Sequence, residues 1–158
     1  MLKFRSAVPK DFAEICRLIT TEDELFLVYP NGKFPFTVEQ VKELSVIRHE
    51  LTVAVENGEI IGFANFYDYE PNKFAFIGNV VIEKNRRGRG LGKEIVKHML
   101  EKAYGKFALP EVRISVFSDN TPALLLYSSL DFLPYEIEER TTPLGGRAAL
   151  IHLKRSAL

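Results

Sequence analysis

The stretch from Phe74 to Ala103 limits the possible folds more than any other. Phe74 to Ile82 is apolar at nearly every position, whereas a strand with one wet face would alternate. Such a strand is covered on both sides and belongs in the middle of a sheet. Glu83 to Gly90 is then polar and glycine-containing. From Leu91 to about Tyr104, apolar residues at Leu91, Ile95, Met99 and Ala103 mark one face of a helix. A two-sided strand feeding a helix through a polar loop requires helical layers on both faces of a sheet.

The flanking sequence completes that picture. Leu2 to Ser6 reads as a short strand, and Pro9 opens a helix whose apolar face is Phe12, Ile15, Cys16 and Ile19. Thr20 to Phe36 reads as a long irregular stretch. Thr37-Val38-Glu39-Gln40 has the form of a capping box and starts a second helix that runs to about His49. Leu51, Val53 and Val55 alternate as a strand, Asn57-Gly58 makes a tight hairpin turn, and a strand from Glu59 to Tyr69 returns. Beyond the long helix come a core strand at Val112, Ile114 and Val116 and a helix from Asn120 to Leu130. Strands at Leu133 to Arg140 and Arg147 to Lys154 follow, joined through Pro143 to Gly146. This order predicts an α+β fold in αβα layers, with a mixed, mostly antiparallel central sheet. Residues 1–158 show no internal repeat or linker and are expected to form a single domain.

Composition narrows the function classes. Lys plus Arg and Asp plus Glu both number 21, so the formal net charge is zero. A nucleic-acid binder carries a basic excess, and none is present. The single cysteine, Cys16, allows no internal disulfide or cysteine-based zinc site, and His49, His98 and His152 show no metal spacing. No metal is expected. The first residues lack a signal-peptide core, and no apolar run is long enough to span a bilayer, so a cytoplasmic protein with no membrane partner is expected.

The loop Arg87-Gly88-Arg89-Gly90-Leu91-Gly92 carries the chemistry. A helix start leaves several N–H groups without partners and carries partial positive charge. Glycines let an anion reach those amides, and Arg86, Arg87 and Arg89 add charge. The combination suits a phosphate or pyrophosphate. It is not a P-loop, because Arg87 stands where the first glycine belongs and Glu94 follows Lys93. Nor is it a dinucleotide fingerprint, since Lys93 occupies the last glycine position. A second segment starts another helix after a core strand: Asn120, Ala123, Tyr127 and Phe132. Alone, Asn120 reads as a helix cap and Tyr127 as a core residue.

Taken together, these residues resemble the GCN5-related N-acetyltransferase (GNAT) family. The family's Arg/Gln-x-x-Gly-x-Gly/Ala is present as Arg87, Gly90 and Gly92, and its Asn-Leu-x-Val as Asn79-Val80-Val81-Ile82. Its Asn-x-x-Ala-x-x-x-Tyr-x-x-x-Gly-Phe appears as Asn120, Ala123, Tyr127 and Phe132, with Asp131 in place of the glycine. That position is expected to need positive φ, which Asp tolerates. The resemblance implies acetyl-CoA as co-substrate. Its pyrophosphate would lie on the amides of Arg87, Gly88, Arg89, Gly90, Leu91 and Gly92, and its pantetheine would pair with Val80, Val81 and Ile82 and hydrogen-bond Asn120. Tyr127 would sit near the sulfur and protonate the leaving thiolate. Asn79 is the candidate for positioning a water, since no base is evident; Glu83 reads as an exposed loop carboxylate.

The acceptor is expected to be the primary amine of a small molecule, with a protein or peptide amine as the alternative. A non-catalytic acyl-CoA-binding module is a further alternative, which would need no Tyr127. Glu22, Asp23 and Glu24 are read as a region that attracts a cationic amine, with Phe26, Tyr29, Phe34 and Phe36 as its wall. The acceptor-binding candidates are Glu24, Phe26 and Tyr29. Cys16 lies on an apolar face, which disfavours an acyl-cysteine route. A homodimer is compatible with the family resemblance.

Overall fold

A computed structural model describes residues 1–157. Its centre is a seven-stranded sheet in the order β1-β2-β3-β4-β5-β7-β6. The strands are β1 (Leu2–Ser6), β2 (His49–Glu56), β3 (Glu59–Glu70), β4 (Phe74–Ile82), β5 (Glu111–Phe117), β6 (Leu133–Thr141) and β7 (Arg147–Ser156). All neighbours are antiparallel except β4 and β5. The two-sided strand β4 occupies the central place, as its sequence requires.

Five helices cover the faces: α1 (Phe12–Arg17), α2 (Glu22–Val28), α3 (Val38–Ile47), α4 (Leu91–Glu101) and α5 (Thr121–Ser129). Strand side chains alternate between two cores. Val53, Ile60, Phe63 and Val81 pack with Phe12 and Ile15 of α1, Leu25 of α2 and Val41 and Leu44 of α3. Their neighbours Ala54, Ile61, Ala64 and Ile82 pack on the other face with Leu91, Ile95 and Met99 of α4 and Tyr127 of α5. The stripe predicted for α4 is buried throughout, and Ala103 continues it into a π-helical turn at Lys102–Lys106.

Two expectations are corrected. The stretch from Thr20 to Phe36 is not irregular throughout, because Glu22–Val28 is helical. Thr21 is its N-cap, its hydroxyl accepting from the Glu24 amide at 3.1 Å, and the three acidic residues of the first turn suit the positive end of the helix dipole. At α3 the Thr37 hydroxyl accepts from the Gln40 amide as foreseen, but the Gln40 side chain does not return to the Thr37 amide. It holds Lys33 at both backbone groups instead.

The feature that positions the site is a gap inside the sheet. β4 and β5 pair only from Phe74↔Glu111 to Ile77↔Ile114, and then they part. β5 stays with β7 as far as Phe117, while β4 stays with β3 across a register shift near Asn79. Asn79 takes φ 50°, a bulge that turns the strand away from its former neighbour. Beyond Ile77, the β5-facing edge of β4 is left without a strand partner.

Candidate active site

The parted strands open into a cleft of about 660 Å³. One end reaches the glycine loop. Gly88 and Gly90 adopt φ 81° and 80°, in open space, so glycine serves conformation there. At Gly92 it serves proximity, since a Cβ would stand 3.3 Å from the Leu126 side chain. Among the described residues, no protein acceptor meets the amides of Gly88 to Lys93, whereas the Glu94 amide bonds Gly90 O at 3.2 Å. These amides at the cleft end of α4 can take an anion.

The arginines around this loop do not stand free. Arg86 bonds Glu59 at 2.7 Å and Glu83 at 3.2 Å, and Arg89 bonds Glu56 at 3.1 Å. Arg87 donates through Nε to Ile82 O at 2.9 Å and through Nη2 to Glu24 Oε2 at 2.7 Å. Burial pushes the Glu24 carboxyl up, but hydrogen bonds from Thr20 and Arg87 outweigh it and hold the group at about 2. Glu24, expected to attract a cationic amine, therefore ties α2 to the glycine loop.

The middle of the cleft runs along Val80, Val81 and Ile82 on one side and Asn120 and Tyr127 on the other. Asn120 precedes α5 but makes no side-chain cap, so its amide is not committed to the helix. Tyr127 is buried, with its ring edge-on to Phe132 at 6.1 Å. Burial first, and then the nearby Tyr67, push its phenol well above the usual range, so it stays protonated at neutral pH. Asp131 takes φ 68° in the turn after α5.

The far end lies beside the bulge. The buried Asn79 accepts through Oδ1 from Asn65 at 2.7 Å and from Arg48 at 2.9 Å, and donates to Val28 O at 2.8 Å. Its amide thus fastens the end of α2 over the cleft. Tyr29 lines the cleft, whereas Phe26 does not, being stacked on Phe117 at 4.5 Å. Arg48 lies 4.5 Å over the Tyr67 ring and 5.5 Å from the Tyr29 ring. Gly78 makes this possible, because a Cβ there would approach Arg48 Nη1 and Tyr67 Cδ1 to 2.5 Å.

Sequence reasoning did not find Arg48, nor a polar chain on the opposite wall. Ser115 Oγ and His152 Nδ1 are 2.6 Å apart on β5 and β7, and the Tyr67 hydroxyl reaches Ser115 Oγ at 3.5 Å. His152 Nε2 faces Glu138 Oε2 at 3.9 Å on β6. All four residues line the cleft. Among the described residues no cluster suits a metal ion, and no helix is long and apolar enough to cross a membrane.

YncA, a candidate acetyltransferase of Salmonella typhimurium solved with its cofactor acetyl-CoA, superposes with a TM-score of 0.80 at 16% identity over 99% of this chain and 94% of its own. A GNAT-family acetyltransferase of Streptococcus pneumoniae gives 0.79 at 22% identity, covering 99% and 100%. Both show the same fold. A probable spermine N(1)-acetyltransferase of Bacillus subtilis subsp. natto is 27% identical over 81 residues, 48% of this chain, which spans about half (53%) of that relative. The model of the acetyltransferase (GNAT) family matches residues 12–132, most of the chain, and the protein belongs to that family.

Proposed function

We propose that this acetyltransferase moves an acetyl group from acetyl-CoA directly to the primary amine of a small molecule. The observation that carries the reading is the continuity of one cleft. It joins the acceptor-free amides of Gly88 to Lys93, the unpaired edge of β4 and the hydroxyl of Tyr127. A thioester carrier fits that sequence of features. Its diphosphate meets the amides, its amide-bearing arm adds to β4 as a strand would, and Asn120 offers a further hydrogen bond. Because Arg86, Arg87 and Arg89 are already paired, the amides supply most of the grip on the diphosphate.

In this reading the acceptor is small because α2 covers part of the cleft. α2 lies over the cleft, pinned through Val28 O to Asn79 and through Glu24 to Arg87. A peptide would need an open groove there. Polyamines, named for the Bacillus relatives, are one class of small amine.

For transfer, the amine must lose a proton, since an alkyl ammonium titrates near ~10. In this reading Ser115 Oγ takes that proton while its own passes to His152 Nδ1, and the imidazolium formed faces Glu138. The amine nitrogen bonds to the thioester carbonyl, and a backbone N–H of Val80 to Ile82 receives the developing oxyanion. As the carbon–sulfur bond breaks, Tyr127 gives its proton to the thiolate. Asn79 acts by position, holding α2 and the bulge, with its amide already committed.

The test is CoA thiol release across a panel of amines, comparing the native enzyme with Tyr127→Phe. The variant should lose about 100-fold or more in kcat with KM for acetyl-CoA unchanged. An unchanged kcat removes the acid role, and absence of acetyl-CoA binding removes the function.

A further inference from the structure

Of the arginines lining the cleft, Arg48 stands apart. Arg87 has Glu24 at 2.7 Å, Arg86 has Glu59 at 2.7 Å, and Arg140 has Glu138 at 2.5 Å. Arg48 has no carboxylate within 4 Å among the described residues, although it is half-buried. Removing a charge from water without a paired carboxylate is costly, and the more distant Asp68 carboxylate and the faces of Tyr29 and Tyr67 offset only part of that cost. Its Nη1 donates to Asn65 Oδ1 at 3.1 Å and Asn79 Oδ1 at 2.9 Å. Among the described residues, Nε and Nη2 find no acceptor. Propping two asparagines requires a donor but no charge. Gly78 and the two tyrosine rings nevertheless shape a slot for the whole guanidinium.

We propose that Arg48 is a specificity residue that binds an oxyanion, a carboxylate or phosphonate, carried by the acceptor amine. The inference rests on the acetyl-transfer reading and narrows its acceptor to anionic amines. Such a group would take the free Nε and Nη2 donors side by side, the planar pairing that guanidinium favours. The bulge at Asn79, which touches Arg48, marks where the parted strands begin. An acid group fixed there leaves the amine end free to face Ser115 and Tyr127 across the cleft. A polyamine would bring a second positive charge to the same slot. The chain is thereby expected to differ from its spermine-acetylating relatives in acceptor.

The experiment uses matched amines with the native protein and acetyl-CoA: glycine and alanine, their amides, aminomethylphosphonate and spermidine. Native enzyme should favour the acids over their amides by about 10- to 100-fold in kcat/KM. The phosphonate arm shows which oxyanion fits better. Arg48→Gln should erase the preference, raising KM for the acids far more than KM for the amides. Arg48→Lys should restore part of it. Equal or better use of amides or spermidine by the native enzyme overturns the inference while leaving acetyl transfer intact. If acetyl-CoA binds and no amine releases thiol, the acetyl-transfer reading fails, and the inference fails with it. Should Arg48→Gln not fold, the native panel decides alone.

Discussion

Asp131 and His152 show how differently single residues disclose themselves. Asp131 stands where its family resemblance places a glycine, and it takes φ 68°, as a residue tolerant of the left-handed region can. A local rule sufficed. Alone, Asn120 reads as a helix cap, but it stands before α5 without capping it. His152 gave no signal, because its neighbours come from distant segments. Ser115 lies 37 residues away on β5, and Glu138 is on the partner strand of the hairpin. Arg48 was hidden for the same reason, with Asn65 and Asn79 lying 17 and 31 positions along the chain. The relay makes a specific demand on His152. Only a neutral imidazole with Nδ1 free can take the Ser115 proton, so the side chain cannot be replaced by one that does not accept a proton. His152→Gln should lower kcat/KM by about 100-fold near neutrality, with acetyl-CoA affinity retained. A variant that keeps the native rate excludes the relay.

At the scale of elements, the strands and the long helix were readable because each repeats its period several times. α4 buries Leu91, Ile95 and Met99 as its stripe requires. α2 escaped notice because it is short and its only strong signal is the Thr21–Glu24 cap beneath an acidic run. That run reads as a solvated surface until the partner of Glu24 is known, and the partner, Arg87, is 63 residues away. Their pairing couples α2 to the glycine loop and sets a pH dependence. The folded Glu24 titrates at about 2 against an ordinary 4.5, so it binds protons less readily folded than unfolded. Its stabilising contribution is complete above about 4.5 and disappears as the pH falls through about 2. Glu24→Gln should therefore melt below the native protein at pH 6, and the gap should close progressively from pH 5 to pH 2. A gap of constant size across that range means the ion pair contributes nothing. Because the pair lies at the surface, the gap should also shrink with added salt.

For the whole molecule, the decisive fact is that the sheet is interrupted at its centre. The apolar residues on both faces of β4 announce a core on each side of the sheet, and both formed as expected. The parting of β4 from β5 does not show in either strand's pattern, because it depends on which neighbour each strand keeps after Ile77 and Ile114. The gap leaves the edge of β4 unpaired between the layer of α1 to α3 and the layer of α4 and α5. A ligand that fills it supplies a missing strand and contacts both layers, so its binding energy adds directly to folding stability. At CoA concentrations 100 times Kd, the gain is about 2.7 kcal/mol. For a chain of this size that is a rise in Tm of roughly 5–10 °C. The amides of the loop and the edge of β4 act on different parts of the ligand. ADP, which has the diphosphate alone, and pantetheine, which has the arm alone, should each give only a fraction of the rise at equal concentration. Hydrogen exchange adds the spatial test. CoA should slow exchange at amides in Gly88 to Lys93 and in Val80 to Ile82 together, whereas ADP should protect only the loop. Protection of the loop by CoA with no change in β4 contradicts strand addition, and the pantetheine route through the gap would have to be abandoned.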